Sequence, residues 1–306
     1  MSTLFTLETK IPEGMAQVSY SQFSLFKQCP HRWYTRYVKK EREADYGVAL
    51  LFGTSFHDTL QNYLNVLYSQ SSKEADNINL SQYLYSRLVE NFKKNTVGNK
   101  ITKSQIMEHY KDGVEILEFI KKKRGEYFSL RNHSLMGTEM PLRLQTVNPK
   151  VWFVGYIDLG IVDNADNSYY LYDIKTSTKG WTDKEKKDES KRSQLILYRE
   201  FFSKQYDIDK DKVFTQFFIV KRKIWENAPF AQKRVQIFNP PCGPKNTKKV
   251  VTEFNEFITT VFDEDGKYKK DLKLPAIAGA DNGSNCKWCP FSKREDLCKK
   301  EDRIYY

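Results

Sequence analysis

Two segments in the middle of the chain, GYIDLG at 155–160 and LYDIKT at 171–176, constrain its fold more than any other feature. Each lies inside a longer β-type run, VWFVGYIDLGIV and YYLYDIKT, and the turn-rich DNADNS separates them. The pattern predicts a β-hairpin with acids on both strands. Strand residues alternate faces, so Asp173 and Lys175 point the same way, roughly 6.6 Å apart along the strand. The hairpin can bring Asp158 beside Asp173. Two carboxylates so close repel each other, which is costly unless a cation sits between them. Hard Mg²⁺ or Mn²⁺ accepts oxygen ligands of this kind and keeps positions for water and phosphate. Lys175 would then stand beside a metal-bound water, placed to orient it or to stabilise developing negative charge. Alone, the D-x-K tripeptide fits a solvated hairpin with a weak Asp–Lys pair better than an active site. Its surroundings reverse that judgement.

Before the hairpin the patterning is helical. Residues 20–38 read as an aromatic-rich helical segment that Ser21 could cap and Pro30 interrupts. In FGTSFHDTLQNYLNVLY, His57, Leu60, Leu64 and Leu67 share one face. Residues 81–94 and 104–124 are also expected as helices, the latter with Ile106, Tyr110, Leu117 and Ile120 as its stripe. Polar stretches at 69–79 and 95–100 read as loops. A strand is expected around TEMPLRLQ, then the hairpin strands, a helix at about 189–206, strands at 212–222 and 233–238, and a helix at roughly 247–262. From 263 the tail reads as loop until a cysteine cluster. Helices first, then a mixed sheet flanked by helices, make the expected class α/β with an N-terminal helical insertion. The expected division is 1–134 (helical, contributing Cys29 and His57), 135–262 (core) and 263–306 (cysteine cluster packing back on the N-terminal segment).

Fifty Lys and Arg against 39 Asp and Glu give a formal charge of +11, which favours polyanions through counterion release but also fits simple solubility. No run of 18 apolar residues and no secretory signal pattern occurs, so a cytoplasmic or intracellular protein without a membrane span is expected. No G-x-x-x-x-G-K-[ST] occurs either, so any motor would be a separate protein.

The ordered set of marks resembles the PD-(D/E)XK nuclease superfamily, in its RecB/AddB-like branch with CRISPR adaptation nucleases and phage exonucleases. FGTSFH resembles the Gly-x-x-x-His helix start (Gly53, His57), and TEMPLRL the Glu before the first core strand (Glu139). GYIDL gives Asp158, DIKT gives Asp173 and Lys175, and SQLILY resembles the Gln-x-x-x-Tyr helix (Gln194, Tyr198). The match spans residues 20 to 298. The resemblance implies a restriction-endonuclease-like core holding one or two Mg²⁺ or Mn²⁺ ions. His57, Asp158, Asp173 and the Ile174 backbone carbonyl would be ligands, with Glu139 a further ligand or a supporting group. Lys175 would act on the nucleophilic water, and Gln194 and Tyr198 would face the nucleic acid. Tyr198 equally suits a core position, given Phe201 and Phe202 at helical spacing. His57 alone reads as an ordinary helix histidine, and Glu139 as a solvent-facing acid.

The cysteines add a second feature. Cys286 and Cys289 form a metal-type C-x-x-C, Cys298 follows, and Cys29 is the candidate fourth ligand, a set that zinc could also use. By resemblance to the same nucleases the four would hold a [4Fe–4S] cluster as a structural staple. The gap from Cys289 to Cys298 is longer than usual there, which leaves the cluster geometry in doubt. Cys242 stands outside the pattern.

The expected activity is a metal-dependent deoxyribonuclease, in the resemblance an exonuclease of recombination, repair or CRISPR adaptation, with a phage enzyme acting in host cytoplasm as one setting. Its partner would be DNA, single-stranded or with free ends. Tyr20, Phe23, Phe26, Trp33, Tyr34 and Tyr37, interleaved with Lys27, Arg32, Arg36 and Lys39, suit stacking on single-stranded bases, or an ordinary core. Two alternatives stand beside this: a non-catalytic DNA-binding scaffold, and a nuclease active only with a helicase or recombination partner.

Overall fold

The computed structural model describes residues 5, 9–41, 47–94, 101–225, 229–230, 232–270, 272–280 and 283–306. The loop expected at 95–100 lies outside them. In chain order, strand β1 (Ala16–Val18) precedes helix α1 (Tyr20–Gln28), and a short helical turn (Pro30–Trp33) runs into a π-helical turn (Tyr34–Val38). Helices α2 (Val48–Ser69), α3 (Leu80–Lys94) and α4 (Lys103–Lys122) follow, then strands β2 (His133–Gln145), β3 (Val151–Asp163) and β4 (Ser168–Ser177). Next come α5 (Glu189–Tyr206), β5 (Val213–Lys221), β6 (Val235–Phe238), α6 (Pro244–Val261), β7 (Ala276–Gly279) and β8 (Arg303–Tyr305).

The chain divides into two units. The first comprises Met1–Leu7, Asp45–Pro141 and Tyr156–Pro241, and the second Glu8–Ala44, Leu142–Gly155 and Cys242–Tyr306. In the first unit the hairpin forms as its alternation predicts, β3 against β4 antiparallel in the register Leu159↔Tyr172 to Asp163↔Ser168. β4 pairs β5 in parallel, and β5 pairs β6 antiparallel. The mixed α/β class expected from the element order is therefore found. α2 packs against α3, α4 and β4, while α5 packs against β5. Leu60, Leu64, Leu67, Leu84, Leu117 and Ile120 close a core with Ile174, Phe218 and Val220 of the sheet. Burying a branched apolar side chain of this kind contributes about 1.5–3 kcal/mol, so helix packing here outweighs intrinsic propensity.

In the second unit β1 pairs in parallel with the 151–153 stretch of β3. Phe23 of α1 meets Phe254 and Phe257 of α6, with ring centroids 5.4 and 5.9 Å apart, and Trp33 meets Phe257 at 5.6 Å. Phe23 and Trp33 are fully buried, so these two serve the core instead of a base-stacking surface. The cap of α1 is Ser19, whose Oγ accepts from the Gln22 amide, in place of Ser21. Three further details differ from the pattern reading. The polar 69–79 stretch contains a helix, Ser72–Asn77, capped by Ser71. β1 was not apparent, and the tail beyond 263 contains β7 and β8, which pair with each other. No described helix is long and apolar enough to cross a membrane.

Candidate active site

The β3–β4 ladder runs as far as Leu159↔Tyr172, which puts Asp158 and Asp173 at the next step. There the backbone pairing gives way to side chains. The Ile174 amide donates to Asp158 Oδ2 at 2.6 Å, so the residue between Asp173 and Lys175 holds the acid of the neighbouring strand. Lys175 Nζ lies 2.7 Å from Asp173 Oδ2, as the same-face spacing requires. Gln194 of α5 donates to Asp173 Oδ1 at 2.7 Å. Tyr198, one turn further, is buried like its neighbours Phe201 and Phe202.

Helix α2 supplies the facing wall. Gly53, His57 and Gln61 recur at four-residue spacing and so lie on one face. A Cβ at Gly53 would touch Thr176 Oγ1 at 3.4 Å, so the glycine lets the helix ride close to β4. One turn on, His57 Nδ1 is 3.7 Å from Asp158 Oδ2, too far for a hydrogen bond, and the ring lies against the Ile174 backbone. Gln61, not singled out in the sequence, donates to Glu139 Oε1 at 2.7 Å and to the Asp158 carbonyl at 2.9 Å. Its only sequence signal is its place one turn after His57. Glu139 itself is exposed and has a left-handed backbone, φ +50°, inside β2. The structure thus brings His57, Glu139, Asp158, Asp173, Lys175 and Gln194 into one connected constellation.

Its electrostatics call for a cation. Burial, then the neighbouring Asp173 carboxylate, push Asp158 well above the ordinary carboxylate range. Burial likewise raises Asp173 despite its ammonium partner. Burial would pull Lys175 down, but Asp173 and Asp158 outweigh it and hold the ammonium above its usual value. Lys175 is still 36% exposed whereas Asp173 is only 4% exposed, so burial weighs most on the carboxylate. Asp158 and Asp173 share a single ammonium, Glu139 adds a further negative charge acting on Asp158, and His57 does not help neutralise them: burial and Lys175 lower its pKa to about 4. A neutral imidazole is the form that ligates metals.

The donor set fits a hard divalent ion. Asp173 Oδ2 is buried with no hydrogen bond of acceptable geometry, although Lys175 Nζ is within ion-pair distance. A buried oxygen held by an ion pair alone, beside a second raised carboxylate, is the environment that oxygen-seeking cations relieve. Among the described residues, no three His, Cys, Asp or Glu side chains are set as a finished metal cage. Here the Ile174 amide and the Lys175 ammonium take the acids instead.

With this geometry in place, a family comparison decides the assignment. Residues 17–294 match the PD-(D/E)XK nuclease superfamily. The chain belongs to that superfamily. No curated protein matches it in sequence. PD-(D/E)XK enzymes generally use Mg²⁺ or Mn²⁺ and cut nucleic acid, so membership supports a metal-dependent nuclease with DNA as its substrate.

A second cluster lies in the other unit of this PD-(D/E)XK protein. Cys29, Cys286, Cys289 and Cys298, none of them in a disulfide, line one small cavity together with His31, Arg32 and Phe291. Burial raises the thiols of Cys29, Cys286 and Cys289, while Arg303 partly offsets this at Cys286 and Arg32 at Cys289. Arg303 is fixed by donating to the carbonyls of Ser292 and Cys298 at 2.6 and 2.9 Å. Thiolate sulfur is a soft metal donor, but among the described residues no three of these cysteines are set as a metal-holding group.

Proposed function

We propose that this protein is a metal-dependent exodeoxyribonuclease that hydrolyses phosphodiester bonds at DNA ends. The observation that carries this reading is the joined set Asp158, Asp173 and Lys175, tied together through the Ile174 amide. Asp158, Asp173, the Ile174 carbonyl and His57 would hold one or two Mg²⁺ or Mn²⁺ ions, with Glu139 as a further ligand or support. When bound, such an ion supplies charge neutralisation for the scissile phosphate and a water of lowered pKa.

The chain's own groups do the rest. Asp158 and Asp173, at the end of the β3–β4 ladder, would hold the cation that in turn neutralises the phosphate. Lys175 points from the same face as Asp173 and donates to the attacking water or to the phosphate oxygens as negative charge builds. Gln194 keeps Asp173 Oδ1 engaged, so Oδ2 is the oxygen left to turn toward the site. Water adds to phosphorus and releases its proton to solvent, the P–O3′ bond breaks, and O3′ takes a proton from solvent, leaving a 3′-hydroxyl on one fragment and a 5′-phosphate on the other. A helical arch over the site, of which α2 would form one wall, would favour a threaded free end over an internal segment.

For Cys29, Cys286, Cys289 and Cys298, which line one cavity, we propose a [4Fe–4S] cluster with a structural role, with zinc as the second candidate for the same thiols. Equal amounts of linear and covalently closed single-stranded DNA, incubated with anaerobically purified protein, test the end requirement. Loss of the linear form alone supports the exonuclease; equal loss of both shows endonucleolytic cutting.

A further inference from the structure

Gln61 is 6% exposed, and its Nε2 has two hydrogens, both engaged. One goes to Glu139 Oε1 at 2.7 Å on β2 and the other to the Asp158 carbonyl at 2.9 Å on β3. A single buried amide thus joins α2 to the two strands that carry acids of the site. Glu139 is exposed, so burial does not fix its rotamer, and its backbone sits at φ +50°, a region that side-chain-bearing residues rarely occupy. Strained backbone of this kind persists where surrounding contacts over-determine it. One turn along α2, Asn65 Nδ2 donates to Thr138 Oγ1 at 3.1 Å, a parallel bridge that reaches no acid.

We propose that Gln61 is a positioning residue for metal binding: its amide aims the Glu139 carboxylate and holds the Asp158 backbone in register with it. The inference rests on the metal-site reading given above. Partners that orient ligands in this way typically change metal affinity about 10–100-fold when removed.

The test is Mn²⁺ titration of the purified full chain, with free Mn²⁺ read by electron paramagnetic resonance and folding by thermal melt. Gln61→Met keeps the side-chain volume and removes the donors. It is expected to weaken Mn²⁺ binding at least about 10-fold, while Asn65→Ala, which breaks the neighbouring bridge, leaves the affinity within about twofold. If Gln61 acts largely through Glu139, Gln61→Met in a Glu139→Ala background adds less loss than it does alone. Should Gln61→Met fold poorly, Gln61→Leu and Gln61→Ala are scored by the same titration. Wild-type affinity in a folded Gln61 variant, or an equal loss in Asn65→Ala, overturns the proposal while the metal site stands. Failure of wild type to bind Mn²⁺, or binding that survives Asp158→Ala, removes the metal-site reading and this inference with it.

Discussion

The Ile174 amide and the Asp158 carboxylate meet at 2.6 Å, so the backbone between Asp173 and Lys175 fixes the acid on the adjacent strand. One hydrogen bond thereby couples the two halves of the site. It also anchors a carboxylate whose ionisation is opposed by burial and by Asp173.

Asp158→Asn should therefore stabilise the metal-free protein while abolishing cleavage. Asparagine's Oδ1 can still accept from Ile174, and the buried charge is gone. Because the folded-state pKa of Asp158 is raised, wild-type stability from this group is present at acid pH and lost as pH rises through that pKa. The variant's advantage, about 1–2 kcal/mol, should appear at neutral pH and vanish in acid. Thermal melts in EDTA across pH measure it, and a destabilised variant at neutral pH contradicts it.

His57 is held to a pKa of about 4, against 6.5 for an ordinary histidine, by burial and then by Lys175. Between those two values the unfolded chain takes up a proton that the folded chain refuses, so His57 makes stability fall as pH falls across this window. An NMR titration, with the His57 signal assigned by its loss in His57→Gln, should show a midpoint near 4. A midpoint at the ordinary value would mean the ring is solvated and does not face Lys175.

Gly113 on α4 has no room for a side chain. A Cβ there would lie 2.6 Å from Leu84 Cδ2 and 2.9 Å from Phe52 Cε2, both on fully buried residues. Alanine is worth about 1 kcal/mol over glycine in a helix, but overpacking costs typically 1–3 kcal/mol. The steric cost should win, and Gly113→Ala should melt lower than wild type. A higher melting temperature would show that α3 and α2 give way.

If the four thiols hold a cluster, Cys289→Ser should lose bound iron and visible absorbance and melt at lower temperature, while Mn²⁺ binding at Asp158 persists. Elemental analysis decides between iron and zinc in the wild type, and neither metal at near-stoichiometric level contradicts the staple.

How much of this was legible in the sequence depended on whether the determining contact was local. Alternation along β4 gives Asp173 and Lys175 a common face and the hairpin can bring Asp158 beside Asp173, whereas Gly53 and His57 stand out only through the family resemblance. Gln61 escaped notice because a helix glutamine has no mark of its own until Glu139 and Asp158 are seen beside it. The left-handed backbone of Glu139 is equally invisible, since nothing in TEMPLRL favours it over ordinary strand. The Ser72–Asn77 helix depends on the Ser71 cap and on Asp76 meeting Arg124 at 2.8 Å, a partner 48 residues away. β1 exists through pairing with Val151–Phe153, not through a pattern in its three residues. The aromatics at 20–38 suited stacking or core alike until Phe257 supplied the core for Phe23 and Trp33.

The central claim is tested most directly by digestion of end-labelled single- and double-stranded DNA with anaerobically purified protein, comparing Mg²⁺, Mn²⁺ and EDTA, with Lys175→Ala alongside. Cleavage is expected to require the divalent ion and to fall by about 10²–10³-fold or more in Lys175→Ala, with that variant still folded. Cleavage that persists in EDTA or in Lys175→Ala, or a folded wild type that binds DNA and never cuts it, would contradict it.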